Sequence, residues 1–167
     1  MKRNKIILIC AAAVLIIAVI IAAAIKKGGT EPAVTEGTTA EPTATIISQE
    51  GSYSIKITAV FDAEPDTDNE NPPEAERVAV VVYEYTNDDI SHGLSIGDTH
   101  FKAYDKNGKS LEVFPQKGLF EPGEVGTEGT FTASVAFALN NPENYIKIEF
   151  YNDPASGKCD AVYEQEW

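Results

Sequence analysis

The chain has 167 residues, with 13 Lys plus Arg against 26 Asp plus Glu, a net charge of −13 at pH 7. Five basic residues and no acidic ones fall in the first 27 positions, so the rest carries eight basic and 26 acidic residues, a net charge of −18. Such a surface repels phosphate backbones and anionic headgroups, which argues against nucleic acid or membrane-surface binding through a basic patch. It suits cations or basic proteins, and it serves solubility equally well. The two cysteines, Cys10 and Cys159, are not placed for an intramolecular bridge. A core alone must hold the fold, and roughly 120 residues suffice for that.

Twenty uncharged residues run from Ile6 to Ile25, after Lys2, Arg3 and Lys5 and before Lys26 and Lys27. As a helix this stretch is roughly 30 Å long, the thickness of one bilayer core. Secretory signal peptides have shorter apolar cores, of about 7–15 residues, ending in a small-residue cleavage site. Ala22, Ala23 and Ala24 offer such a site only directly before Ile25-Lys26-Lys27. A retained signal anchor over residues 1–27 is therefore favoured over a cleaved signal. Cys10 does not fit lipoprotein acylation, because Ile9 rather than a small residue precedes it and most of the apolar run follows it. It reads as a small apolar residue in the helix. The excess of three basic residues over two on the N-terminal flank places the N-terminus inside and the remainder outside.

Residues 28–47 read as a linker. The stretch GGTEPAVTEGTTAEPTAT from Gly28 lacks aromatics and repeats Glu31-Pro32 as Glu41-Pro42. Nothing in it offsets the entropy of ordering the backbone, so a disordered tether is expected. Its eighteen residues would span about 25 Å as a flexible coil and about 60 Å fully extended, which keeps the folded part near the bilayer.

Residues 48–167 read as all-β. Tyr53, Ile55, Ile57, Ala59 and Phe61 alternate with Ser54, Lys56 and Thr58, the pattern of a strand with one wet face. Residues 77–86, RVAVVVYEYT, predict a central strand covered on both faces. Strands at 100–104 and 110–114 flank Asp105-Lys106-Asn107-Gly108, where Asn and Gly tolerate the positive φ of a hairpin turn. Pro122-Gly123 marks another turn. Phe131, Ala133, Val135, Phe137 and Leu139 then alternate as far as Asn140-Asn141-Pro142. Residues 145–151 put Ile146, Ile148 and Phe150 on one face and Lys147 and Glu149 on the other, and a last strand runs over 159–164. Seven strands without an amphipathic helix predict a sandwich of two sheets.

Three of these features carry a resemblance. The valine-rich strand closes on an asparagine, Val78-Ala79-Val80-Val81-Val82-Tyr83-Glu84-Tyr85-Thr86-Asn87. The hairpin Phe101-Lys102-Ala103-Tyr104-Asp105-Lys106-Asn107-Gly108-Lys109 has an Asp-x-x-Gly-Lys turn. Pro122-Gly123 precedes a strand over 131–137 with a late Phe. Together they resemble the immunoglobulin-like extracellular domains of unknown function of Gram-positive bacteria, related in fold to a mycobacterial immunoprotective secreted antigen, over about residues 52–151. The resemblance implies an immunoglobulin-like β-sandwich. Many members look like lipoproteins, whereas this chain lacks the lipobox. The resemblance supplies no catalytic residue, and a shared fold does not by itself imply a shared function.

Residues 62–76, DAEPDTDNENPPEAE, gather acidic side chains between the first two predicted strands. Asp66, Asp68 and Glu70 match the start of a calcium loop, whose oxygens converge on one hard cation. An EF-hand then needs Gly and Glu where this chain has Asn71 and Arg77. The three acids are thus candidates for a looser calcium site, weighed against a solvated loop. His92 and His100 lack the further ligands zinc requires, and no motif presents the nearby Ser91 and Asp98 as a catalytic pair. No catalytic residue and no cofactor are expected. The aromatics, Tyr104, Tyr145 and Tyr151 among them, are assigned mostly to the core or to cross-strand pairs. Phe114 and Phe120 bracket a loop and would contact a ligand if exposed, while Trp167 either packs on the sandwich edge or frays.

The favoured reading is a non-catalytic binding or structural module, tethered through Ile6 to Ile25, with an envelope protein or wall polymer as partner. The alternative is a calcium-responsive extracellular domain. A hydrolase ranks last.

Overall fold

The computed structural model describes residues 43–66, 68 and 72–167. Its strands, in chain order, are β1 (Ala44–Ile47), β2 (Ser52–Ala63), β3 (Arg77–Asn87), β4 (Phe101–Tyr104), β5 (Ser110–Leu111), β6 (Thr130–Leu139), β7 (Tyr145–Phe150) and β8 (Ala161–Glu166). They form two antiparallel sheets, ordered β1-β2-β3-β6 and β5-β4-β7-β8. A short 3-10 turn, Asp98–His100, leads into β4. Among the described residues no helix is long and apolar enough to cross a membrane. The expected anchor over residues 1–27 lies outside the described residues, as do residues 28–42 of the expected linker.

The all-β expectation holds with one strand more than the seven anticipated. The extra strand, β1, falls inside the stretch 28–47 assigned to the linker. Its four residues show no alternation of their own. Antiparallel pairing with β2, from Ala44↔Ile55 to Ile47↔Ser52, seats Ile46 in the core at 5% exposure, so non-local pairing overrides local composition.

Tyr53, Ile55, Ile57, Val81, Tyr83 and Tyr85 of the first sheet share a core with Phe101, Ala103, Ile146, Ile148, Phe150 and Tyr163 of the second. The alternation expected along β2 breaks at a bulge. Ile57 opposes Tyr83 but Ala59 opposes Val82, so Thr58 is an extra residue. Beyond it Val60, rather than Ala59 or Phe61, packs against the inter-sheet core.

A second apolar layer lies on the other side of the first sheet. Val78, Val80, Val82, Phe114, Ala136 and Ala138 are buried without belonging to the inter-sheet core. After β5 the chain leaves the second sheet and runs beside β6. Ala138 N donates to Glu112 O (2.9 Å), Phe114 N to Ala136 O (2.8 Å) and Ser134 N to Phe120 O (2.9 Å). The single strand expected over 110–114 is therefore split: Ser110 and Leu111 pair with β4, whereas Val113 bridges Phe137 of β6. This strap covers the open edge of β6, which would otherwise be a template for further strand pairing. Phe114, at 2% exposure, comes with it. Burial of β3 on both faces explains its unbroken valine run.

The three features behind the resemblance have structural causes. Asn87, fully buried, accepts from Ile90 N (2.8 Å) and donates to Ile90 O (2.9 Å) and Val125 O (3.1 Å), so one side chain ties two loops to the end of β3. Asp105 accepts from the amides of Asn107 and Lys109 (both 2.9 Å) and thereby shapes the hairpin. There the left-handed φ is confined to Gly108, at +77°, rather than shared with Asn107. At Pro122-Gly123 the Tyr85 hydroxyl donates to Gly123 O, and a Cβ on Gly123 would lie 2.6 Å from the Phe131 ring. A side chain there requires the Phe131 ring to shift.

At the opposite end of β3, Arg77 donates to Asp62 Oδ2 and Asn144 Oδ1 (both 2.8 Å) and to the carbonyls of Asn141 (3.0 Å) and Glu143 (2.8 Å). One guanidinium thus links β2, β3 and the β6–β7 loop. Asn87→Ala strands buried groups of Ile90 and Val125 and should lower unfolding stability by about 3 kcal/mol in urea titration. Asn87→Asp aims a carboxylate at two carbonyl oxygens and should cost at least as much at pH 7, with partial recovery near pH 4. A change below about 1 kcal/mol for both would contradict this role.

Candidate functional site

Two of the three calcium candidates are engaged by a side chain from the strap. Lys117 Nζ lies 2.8 Å from Asp68 Oδ2 and 3.6 Å from Asp66 Oδ2. Beside it, Gln116 accepts from Asp66 N and donates to Glu64 O, both at 3.1 Å. The hydrogen bond from Lys117, ahead of its charge, holds the Asp68 carboxyl below its usual range. The acidic loop is therefore fastened to the strap, with an ammonium where a cation between these two carboxylates would sit. Glu70 lies outside the described residues. Among the described residues no group of three His, Cys, Asp or Glu is arranged to hold a metal ion.

The histidines have separate partners. His92 Nε2 is 3.2 Å from Glu50 Oε2, while His100 Nδ1 is 2.9 Å from Tyr151 O and its ring stacks on Phe150. Neither pairs with Ser91 or Asp98. Phe114 is buried and Phe120 half-buried, so that loop does not present the exposed aromatics a ligand would need. Trp167 packs against the core and its amide donates to Asn144 O (3.2 Å). Cys159 is half-buried with Sγ 3.1 Å from Ala161 O, and burial pushes its thiol up, away from thiolate reactivity.

The outer face of the second sheet gathers tyrosines and charged side chains in cross-strand pairs. Tyr104, Tyr145 and Tyr151 lie there beside Lys102, Lys147, Glu149 and Glu164, outside the inter-sheet core. Register places Lys102 opposite Glu149, Tyr104 opposite Lys147, and Lys147 opposite Glu164. Glu149 is the hub: it accepts from Lys147 Nζ (2.6 Å) and from the Tyr151 hydroxyl (2.7 Å). Those two hydrogen bonds, Lys147 first, hold its carboxyl below the usual range. Lys102 Nζ stands 4.4 Å from the Tyr151 ring centroid, and Lys147 Nζ 5.4 Å from that of Tyr104. Burial, then the charge of Glu149, pushes the Tyr104 phenol up; burial, then Glu164, does the same at Tyr145. The arrangement gathers donors, acceptors and tyrosines on one face of the sheet. The signal was present in the sequence, because Tyr145 and Tyr151 share the parity of Lys147 and Glu149.

No family model and no curated protein matches the chain. Solved structures do match in fold. The chain is similar to the ycdA protein of Bacillus subtilis subsp. subtilis strain 168, named as a lipoprotein, at 12% identity and a TM-score of 0.55, over 78% of this chain and 39% of that one. It is similar to MPT63, a secreted protein from Mycobacterium tuberculosis, at 12% identity and a TM-score of 0.56, over 74% of this chain and 92% of that one. The yjhA protein of Bacillus subtilis matches at 12% identity and a TM-score of 0.50, over 73% and 94%. The chain thus spans 39% of the length of the ycdA protein. What is shared at this identity is the fold, and the expected fold relation to a mycobacterial secreted protein is found.

The tyrosines set an alkaline limit on the domain. Burial above all pushes the Tyr53 and Tyr83 phenols up, and the hydrogen bond to Glu149 does so at Tyr151. A raised folded pKa favours the neutral form, so the stability it contributes is complete below about pH 10 and is lost as pH rises beyond that. The melting temperature should be steady from pH 7 to 9 and fall above 10, with tyrosinate absorbance rising together with loss of the β-sheet circular dichroism signal. Full tyrosine ionisation in a still-folded domain would contradict these burials.

Proposed function

We propose that this chain is a single-pass membrane protein of a Gram-positive cell envelope. Its immunoglobulin-like domain stands on the extracytoplasmic side and works as a non-catalytic binding or structural module. One observation carries the reading: the first sheet's outer side is partly covered by the strap, while the second sheet presents an open face of tyrosines interleaved with lysines and glutamates. Covered and open faces divide the sandwich into a structural side and a recognition side.

Other features support it. The uncharged run from Ile6 to Ile25 has the length of a bilayer crossing. The fold is one found in secreted and lipoprotein-class proteins. A tether over residues 28–43, about 55 Å at full stretch, favours a partner within the envelope, either a neighbouring protein or a wall polymer. In cells producing the full-length chain, the protein should sediment with membranes and need detergent for release. Protease added to intact protoplasts should remove the β domain. Full-length protein in the cytosol, or in the medium without detergent, would overturn the proposal.

A further inference from the structure

Two sheets of four strands have four edges, and three of these are guarded. The strap runs along β6. β5 is two residues long and leads straight into the strap. β8 carries Glu164 and Glu166 and follows Asp160. Covering segments, short length and charged side chains all keep an edge from pairing with another chain. β1 has only its four-residue length. Residues 43–49, TATIISQ, hold no charge and no proline, and three of the four residues of β1 are β-branched. Ile47 is 83% exposed, against 48% for Val162 and 40% for Val113, so the most exposed large apolar side chain among the described residues lies on the unguarded edge.

The backbone of this edge is arranged for pairing. Ser48 N donates to Gly51 O (2.8 Å), while Ser52 O accepts from Asp88 N (3.1 Å) on the side away from β1. Bonded and open pairs alternate along an antiparallel ladder, so Ile46 bonds to β2 while Thr45 and Ile47 turn their N–H and C=O groups outward. The charge of the domain then narrows the occupant. Two copies, each at −18 beyond residue 27, repel wherever their acidic surfaces meet. They approach without that cost only along an uncharged strip that matches itself. Residues 43–49 are such a strip, and their midpoint, Ile46, is also the midpoint of the outward groups of Thr45 and Ile47. A two-fold axis at Ile46 therefore sets Thr45 of each copy opposite Ile47 of the other, outward groups facing outward groups.

We propose that β1 pairs antiparallel with β1 of a second copy of this chain, joining the two first sheets into one sheet of eight strands. The contact is isologous, so it closes at two copies and does not propagate. It covers Ile47 on the outer face and sets Ile46 against Ile46 of the second copy at the open side of the core. Thr43 lies three residues from the axis, so the two tethers leave the seam about 20 Å apart. In the anchored chain proposed above, that brings two anchors side by side. The pairing itself does not depend on the anchor.

The test is sedimentation velocity of the full-length chain in density-matched detergent micelles. A dimer is expected, with a dissociation constant raised at least tenfold by Ile47→Glu and by Thr45→Pro. Ile47→Glu places a charge on the seam. Proline at position 45 removes only an outward N–H and keeps the ladder with β2. Both variants should retain the β-sheet circular dichroism signal and, at a dilution where the unaltered chain is monomeric, its melting temperature. Val162→Glu, on the edge strand β8, should leave the dimer unchanged. A monomer at the highest concentration the micelles hold, assembly beyond two copies, or a dimer that survives both β1 variants would overturn the proposal. The last result would assign association to another part of the chain. A monomeric chain that captures an envelope protein, with capture lost in both β1 variants, would overturn the second copy as the occupant of this edge.

Discussion

Strand β3 is buried on both faces along most of its length, and this makes demands on the rest of the chain. One face is met by the second sheet through Tyr83, which packs on Phe101 at 4.6 Å between ring centroids. The other needs a cover that no sheet provides. The strap over 112–120 supplies it, bringing Phe114 over and leaving Val78, Val80 and Val82 almost without solvent contact. Burying a valine contributes roughly 1.5 kcal/mol or more. The exposed contacts of Lys117 contribute little by comparison. Apolar burial thus holds the strap down, and Gln116 and Lys117 set where the acidic loop lies against it.

The two ends of the same strand are closed by polar side chains that make several bonds each. Asn87 serves one end and Arg77 the other, and each joins segments distant in sequence. The outer side of the second sheet is held by a separate polar network. Its polar groups are satisfied among themselves around Glu149, which orders the face.

Much of this architecture was legible in the sequence because it rests on local periodicity. The valine run, the alternation over 131–139 and 145–151, and the Asp-x-x-Gly-Lys hairpin all predict what is found. The misses share a different cause. β1 is four residues long and exists only through pairing with β2. The bulge at Thr58 inserts one residue into an apolar stretch, where Ala59, Val60 and Phe61 fit either face equally well by composition. The split of the 110–114 strand depends on β6, more than twenty residues away. Lys117 meets Asp68 across 49 positions, which no spacing rule anticipates. Tyr151 is buried and Tyr104 and Tyr145 stand in cross-strand pairs, as expected of these aromatics; their gathering on one outer face follows from parity along β7, which composition alone does not show.

Amide hydrogen exchange of the full-length protein in micelles measures the double burial of β3 most directly. Amides of residues 78–83 should be the slowest in the β domain, exchanging only through global unfolding, with rates that follow its stability in urea. Exchange of these amides as fast as those of the edge strands β1 and β8 would contradict a fold built around β3.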